Sequence, residues 1–193
     1  MTGFDPYLDL DSGILRNRLS ITDPVELATA EAAITAVRLA QLAVHPVTGD
    51  HDLTHLQAIH RFVFEPLYDW AGEIRTVTLA RGGQEFCPPE LIRPQAAQVF
   101  LGLAVRDHLR GLGREQLLAD LTDFLAALND LHPFREGNGR TQRAFLSQLV
   151  LDGGYRFRWA AMSAEENNEA SRAAGRGDRK PLHAMLDRLL VRW

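Results

Sequence analysis

Hydrophobic residues recur at helical spacing along most of the chain. Spacing of three and four residues places apolar side chains on one face of a helix. The clearest example covers residues 114–131, where the apolar positions are Leu117, Leu118, Leu121, Phe124, Leu125 and Leu128. The same pattern predicts helices over about 25–44, 53–69, 94–109, 114–131, 139 or 140 to 153, 163–174 and 179–190.

Local signals indicate where the first two helices begin. Asp23 precedes Pro24, and an N-cap followed by proline is favoured at a helix start. Asp52 or Thr54 is placed to cap the second helix.

The pattern changes after Gly72. Residues 74–79 read Ile-Arg-Thr-Val-Thr-Leu and alternate with a period near two; Gly82-Gly83 and Glu85-Phe86-Cys87 follow. This predicts a short β-hairpin over 74–87 with glycine at its turn. The expected fold class is all-α: a helical bundle that carries one β-hairpin on its surface.

The chain shows no internal repeat and no linker long enough to separate domains, so we expect a single domain over 1–193 with an irregular segment at 1–22. The hydrophobic fraction of 46% and charged fraction of 24% are typical of a soluble globular protein. A net charge of -4 argues against bulk nucleic-acid binding.

Compartment is predicted from cysteine content and from the first residues. The chain has a single cysteine, Cys87, which fits a reducing environment. The first eleven residues contain three aspartates and no apolar core, unlike a signal peptide. No apolar run looks long enough to span a bilayer. We therefore expect a cytoplasmic protein with no membrane contact; export without an N-terminal signal stays open.

Most of the candidate chemistry falls in residues 132–143, which read His-Pro-Phe-Arg-Glu-Gly-Asn-Gly-Arg-Thr-Gln-Arg. Gly137-Asn138-Gly139 leads directly into a predicted helix. Glycines allow successive N–H groups to point at one spot, and the helix start adds unpaired N–H groups and a positive dipole end. This segment is expected to bind phosphate.

The charged residues of this loop complement a phosphate site. Arg140 and Arg143 are three residues apart, so both can reach one ligand with forked hydrogen bonds. A carboxylate beside phosphate is favourable when a divalent cation lies between them, which suits Glu136 as a Mg²⁺ ligand. His132 has the chemistry of a general base, with an ordinary pKa of about 6.5. Phe134 is expected to anchor the loop in the core.

The loop matches, at every specified position, the signature His-x-Phe-x-(Asp/Glu)-Gly-Asn-Gly-Arg-x-x-Arg, and so the chain resembles the Fic family. The Doc branch has lysine where Gly139 stands, which favours the main Fic branch. Further residues similar to family landmarks are His55-Leu56, His60, Trp70-Ala71-Gly72, Arg75-Thr76-Val77, Phe86, Gly177-Asp178 and Pro181-Leu182.

The resemblance implies a protein adenylyltransferase, which transfers AMP from ATP to a Tyr, Ser or Thr hydroxyl and releases pyrophosphate. His132 would take the hydroxyl proton, and Glu136 would hold Mg²⁺. Gly137, Asn138 and Gly139 would form the anion hole. Arg140 would contact the β-phosphate of ATP, and Arg143 its γ-phosphate.

The resemblance also implies partners. The hairpin would be a flap whose edge docks an extended target segment, through Thr76, Val77, Thr78 and Leu79. Many Fic proteins carry an inhibitory (Ser/Thr)-x-x-x-Glu-(Gly/Asn) helix. Residues 22–27 match it incompletely and are better explained as a helix cap, and residues 163–167 have asparagine where glutamate is needed. A toxin restrained by a separate small antitoxin chain is therefore expected.

Three alternatives stay open at this point. In the first, the chain is a Fic module that binds nucleotide without transferring it. In the second, it is an enzyme that transfers another group, such as UMP or phosphocholine. His51 and His55 also echo the zinc-protease pattern His-Glu-x-x-His, although His51 is expected to lie outside the helix and a third ligand is not evident.

Overall fold

The computed structural model describes residues 5–81 and 84–192, and its helices confirm the predicted helical bundle. The helices of this part are α1 Pro24–Val44, α2 Leu53–Phe64, α3 Pro89–Ala104, α4 Arg114–Leu131, α5 Asn138–Leu151, α6 Ala164–Gly175 and α7 Lys180–Leu189. Short 3-10 turns cover Asp107–Leu109 and Trp159–Ala161.

Helix starts and ends follow local chemistry. The Asp23 carboxylate accepts hydrogen bonds from the N–H groups of Val25 and Glu26, and Asp52 caps α2. Both predicted caps are therefore confirmed. Helix α3 begins earlier than expected, because Pro89 occupies a first-turn position where proline is tolerated. Helix α2 ends earlier, just before Pro66, because proline has no N–H to continue the hydrogen-bond pattern of the helix.

The predicted hairpin is present but much shorter than expected. Strands β1 Ala80–Arg81 and β2 Gln84–Glu85 pair antiparallel, and the predicted Gly82-Gly83 turn lies outside the described residues. The strand expected over 74–79 is wrong, since this segment is irregular. The N–H of Arg75 donates to the carbonyl oxygen of Pro133 at 2.9 Å, so the segment is tied to the motif loop rather than to another strand.

A second small sheet was not predicted. Strand β3 Tyr155–Phe157 pairs antiparallel with β4 Leu190–Arg192. Helices α6 and α7 lie between these strands in the chain, so no local turn signal marks the pairing. The sheet packs against α5 through β3 and continues α7 through β4.

Helix α5 lies in contact with α1, α2 and α4, and these helices surround the motif loop. Residues that are fully buried along this contact are Leu56, Ile59, Phe64, Leu121, Leu128, Phe145 and Leu146. The loop between α4 and α5 is thus held by two rods with buried apolar faces, as a rigid binding site requires.

Helix α1 corrects one expectation. By length and composition it is apolar enough to cross a membrane, so a sufficiently long apolar run does exist. In this structure two charged residues of α1 pair with residues elsewhere in the described chain. Glu31 pairs with Arg140 at 2.6 Å, and Arg38 pairs with Glu65 at 2.5 Å.

Candidate active site

The motif loop begins with His132, which closes helix α4 in a left-handed conformation, with φ of 41°. Such a conformation is common at a helix end but is unusual for a residue other than glycine or asparagine. The ring of Phe134 follows and is buried, with 1% exposed. It stacks on the ring of His60 at 3.9 Å between centroids, which attaches the loop to α2.

His60 fixes the backbone of the loop. Its Nδ1 accepts a hydrogen bond from the N–H of Gly72 at 2.7 Å, so its Nε2 carries the proton and donates to the carbonyl oxygen of Glu136 at 3.0 Å. Burial lowers the pKa of His60 to about 4. The neutral imidazole is therefore the form that holds the loop at pH 7, because the ring is buried.

Asn138 locks the same loop from within. Its Oδ1 accepts from the N–H of Phe134 at 2.9 Å, and its Nδ2 donates to the carbonyl oxygen of Phe134 at 2.7 Å. The side chain is 3% exposed. Asn138 can therefore serve a phosphate through its backbone N–H, while its carboxamide shapes the loop.

The two glycines differ in their surroundings. Gly137 has φ of +82°, and a Cβ built on it would lie 2.2 Å from Cζ of Phe64. A Cβ on Gly139 would lie 3.2 Å from Nη1 of Arg143. Gly137 is thus required by the packing of the loop, whereas Gly139 leaves open the space beside an arginine. The N–H groups of residues 138–140 open α5 and have no partner within the helix.

Arg140 is held between two carboxylates, one on α1 and one in the motif loop. Its Nη2 lies 2.6 Å from Oε1 of Glu31 and 3.2 Å from Oε1 of Glu136, and its Nη1 donates to Oγ1 of Thr35. The hydroxyl of Tyr68 donates to the second oxygen of Glu31. Glu31 therefore links α1 to the first turn of α5 and to the segment after α2, a contact that the sequence did not reveal.

The guanidinium of Arg143 has no hydrogen bond or ion pair to the residues that the structure describes, although its carbonyl oxygen accepts from Oγ of Ser147. Burial, and then the charge of Arg140, lower the pKa of its guanidinium. Arg140 and Arg143 line one cavity of about 390 Å³ between α1, α5 and β3, whose walls include Leu39, Leu42, Phe157 and Trp159. A partly buried cation without a carboxylate partner is suited to bind an anion that enters from outside.

His132 lines a cleft of about 100 Å³ on the other side of the α5 start. The cleft is lined by Arg81, Phe86, Asn129, Asp130, His132, Gly139, Gln142, Asn167, Asn168, Ser171 and Arg172. Burial, followed by the charges of Arg75 and Arg81, lowers the pKa of His132 to about 4. This value corrects the expectation of an ordinary imidazole. At pH 7 the ring is neutral and can accept a proton, and the negative charge of a bound nucleotide would raise its pKa.

The fit of Glu136 to a divalent cation rests on its carboxylate. One oxygen, Oε1, accepts from the N–H of Gly137 at 2.7 Å and contacts Arg140. The side chain is 43% exposed, and its other oxygen makes no hydrogen bond to the described residues. A single carboxylate oxygen beside a phosphate site matches the way proteins hold Mg²⁺ with phosphate oxygens and water.

The other histidines do not form a metal centre in the described part of the chain. His51 precedes the cap of α2, as expected. Nε2 of His55 lies 2.9 Å from the carbonyl oxygen of Val47. Within 5–81 and 84–192, no group of three metal-ligating side chains is arranged for an ion. Nothing here supports the zinc-protease alternative.

The flap residues are close to the loop, but part of their backbone is already engaged. The N–H of Thr76 donates to the hydroxyl of Tyr7, and the carbonyl of Val77 accepts from Arg75. The carbonyl of Leu79 accepts from the N–H of Phe86. Pairing with a target along 76–79, including Thr78, stays a prediction.

Arg75 is another residue whose contacts the sequence did not reveal. It is 1% exposed, and its guanidinium donates to backbone carbonyl oxygens of four residues: Val77, Cys87, Leu131 and His132. The bond to His132 is 2.7 Å. Arg75 therefore fastens both sides of the flap to the end of α4, and a lone arginine in a mixed segment carries no sequence signal for this.

Comparison with known proteins agrees with the resemblance. A model of the Fic/DOC family matches residues 50–150. Protein adenylyltransferase VbhT of Bartonella schoenbuchensis is 35% identical over 97% of the chain, which spans 39% of the length of VbhT. The "Probable protein adenylyltransferase Fic" of Salmonella typhimurium is 34% identical over 97% of the chain and 93% of its own length.

Solved structures show the same architecture. The N-terminal Fic domain of a VirB-translocated Bep effector from Bartonella quintana superposes with a TM-score of 0.88 at 26% identity, covering 96% of this chain and 92% of that domain. The same kind of domain with bound ADP superposes with a TM-score of 0.88 at 25% identity, covering 96% and 94%.

Proposed function

Because the chain belongs to the Fic/DOC family, we propose that it is a protein adenylyltransferase that transfers AMP from ATP to a Tyr, Ser or Thr hydroxyl of a target protein. One observation carries this proposal most directly. The neutral His132 and the open side of Gly139 line one cleft, with the unpaired Arg143 beside the same glycine. A base and a free cation therefore lie on either side of a helix start that can bind phosphate.

The residues divide the reaction as follows. His132 takes the proton of the target hydroxyl as its oxygen bonds to the α-phosphorus, and the bond from that phosphorus to the pyrophosphate oxygen breaks. The N–H groups of residues 138–140 and the dipole of α5 stabilise charge on the phosphates. Arg143 binds the γ-phosphate and orients the tail. Arg140 reaches the β-phosphate from the position in which Glu31 holds it.

Glu136 is the residue that would hold Mg²⁺ together with phosphate oxygens. A bound Mg²⁺ supplies neutralisation of the phosphate charge. The chain itself supplies orientation, since Arg140 and the N–H of Gly137 hold one oxygen of Glu136 in place.

The test is transfer of label from α-labelled ATP to protein in cell extract, comparing wild type with His132→Ala. A labelled target that disappears in the variant is expected, with a rate loss of about 10²–10⁴-fold, typical of removing a general base. Parallel reactions with labelled UTP and CDP-choline examine the other transferred groups. Nucleotide binding by wild type without label on any protein would contradict the transferase and favour the silent module.

The single cysteine and the incomplete matches to the inhibitory pattern in the sequence support two further proposals. We infer a cytoplasmic enzyme held inactive by a small separate antitoxin. In the described residues, the two segments that partly match the inhibitory pattern act as helix starts, through Asp23 and Ser163. Co-purification of an inhibitory chain with the (Ser/Thr)-x-x-x-Glu-(Gly/Asn) pattern is expected. Activation of the isolated chain only after trimming of its own termini would contradict the antitoxin.

A further inference from the structure

The aromatic ring of Phe86 lies flat against the imidazole of His132. Their centroids are 3.8 Å apart and their planes differ by 11°. Phe86 follows β2, at the end of the flap. Contact at this distance over parallel rings covers one face of the proposed base and restricts rotation of its plane.

Backbone hydrogen bonds fix Phe86 on both sides. Its own N–H donates to the carbonyl oxygen of Leu79 at 3.0 Å, across the flap. The N–H of Cys87 donates to the carbonyl oxygen of Asp130 at 2.9 Å, at the end of α4. Arg75 joins the carbonyls of Cys87 and His132. The flap end and the base are therefore one connected unit.

His132 does not make the well-formed hydrogen bond that usually orients a catalytic imidazole. In most such sites one ring nitrogen donates to a carboxylate or carbonyl, which sets the direction of the other nitrogen. Here Nδ1 is buried and has no hydrogen bond of normal geometry to the described residues; its contact with the backbone of Asn129 is too poorly aligned to count as one. The stacked ring of Phe86 is the contact that restrains the plane of the imidazole in place of that bond.

We propose that Phe86 is a positioning residue of the proposed transferase, which holds the imidazole plane of His132 so that Nε2 meets the target hydroxyl. This inference rests on the proposed function. It makes the flap part of the chemical step, because displacement of the flap end also displaces the ring that orients the base.

The effect of nearby charges on the pKa of His132 must be distinguished from the effect of the stacked Phe86 ring. Arg75 and Arg81 face it from the flap, Asp130 from α4 and Arg172 from α6 across the cleft. Arg81→Gln removes a flap charge and keeps Phe86. This variant therefore measures the electrostatic part on its own.

The experiment compares Phe86→Leu, Phe86→Tyr and Arg81→Gln with wild type. Phe62→Leu, at a half-buried ring beneath Arg38 and away from the cleft, is the matched control. The imidazole of His132 is titrated by NMR without nucleotide, and kcat and KM for ATP are measured across pH. Urea unfolding verifies that each variant is folded.

For Phe86→Leu we expect a higher pKa of His132, because water reaches the ring, and a kcat lower by about 10- to 100-fold from misplacement of the base. KM for ATP should change by less than about twofold, since phosphate contacts are untouched. Phe86→Tyr keeps an aromatic ring, so its His132 pKa and its kcat should match those of wild type.

The inference would be overturned if Phe86→Leu left both the titration of His132 and kcat unchanged. It would also be overturned if only KM for ATP changed, or if kcat fell no more than in Phe62→Leu. The NMR titration needs no activity. If wild type transfers no label, the proposed function fails, while an altered titration in Phe86→Leu still demonstrates the restraint on the ring.

Discussion

At the residue scale, the two glycines of the loop have separable duties. Gly137 has a positive φ and contacts the ring of Phe64, so its lack of a side chain serves the fold. Gly139 lies beside the flexible end of Arg143, so its lack of a side chain leaves room for a ligand. One motif therefore contains a glycine that the packing requires and a glycine that belongs to the proposed phosphate site.

Gly137→Ala should lower the free energy of unfolding by about 2–4 kcal/mol, because overpacking against Phe64 adds to left-handed backbone strain. Gly139→Ala should change it by less than about 1 kcal/mol, since alanine favours the helix and Arg143 can move.

Urea denaturation measures both changes, and ATP-dependent labelling measures activity. Gly139→Ala should remain folded but lose transfer, because its methyl group stands where a phosphate approaches. Equal destabilisation of the two variants would contradict this division.

At the element scale, the period of the apolar residues predicted the α-helices of the described part, but contacts between distant elements could not be predicted from it. Glu31 and Arg140 are 109 positions apart, so no local pattern joins them. The period over 74–79 was misleading, because Arg75 donates to carbonyl groups of the α4 end instead of completing a strand. The motif loop could be predicted because its candidate residues are neighbours in the sequence.

Replacing Glu31 by Gln should lower the free energy of unfolding by about 1–3 kcal/mol, because Arg140 loses a largely buried charged partner. The Glu31 side chain is 14% exposed. Glu65→Gln, in the pair of α1 with α2, is the control. The Glu65 side chain is 50% exposed, and a surface pair contributes about 0–1 kcal/mol.

Both variants are compared by urea unfolding at one pH and one salt concentration. If Glu31→Gln costs no more than Glu65→Gln, the link between α1 and the phosphate loop is not a significant part of the fold's stability.

At the scale of the whole molecule, histidines that stay neutral in the folded protein make its stability depend on pH. The pKa values of His51, His60 and His132 are each lowered to about 4, chiefly by burial. The unfolded chain binds protons at about pH 6.5, where the folded protein does not. Full stability is therefore present above pH 6.5 and is lost as the pH falls from about 6.5 to 4.

The fully buried His60 alone should account for up to about 3 kcal/mol of this loss. Unfolding free energies measured between pH 7.5 and 5 should fall for wild type and fall less steeply for His60→Gln. The exposed His45, replaced by Gln, serves as the control. A profile for His60→Gln as steep as that of wild type would rule out His60 as a source of the acid sensitivity.

The hydrogen bonds of Arg75 to backbone carbonyl groups bear on how the flap sequence can change between related proteins. Its acceptors are carbonyl oxygens, which every amino acid supplies, so the clamp does not depend on which side chains surround it. In the target docking that the family resemblance implies, exposed flap positions such as Thr76 and Thr78 could be exchanged to recruit a different client protein without moving the proposed base. Arg75 would then make the predicted recognition edge a replaceable part of a constant frame.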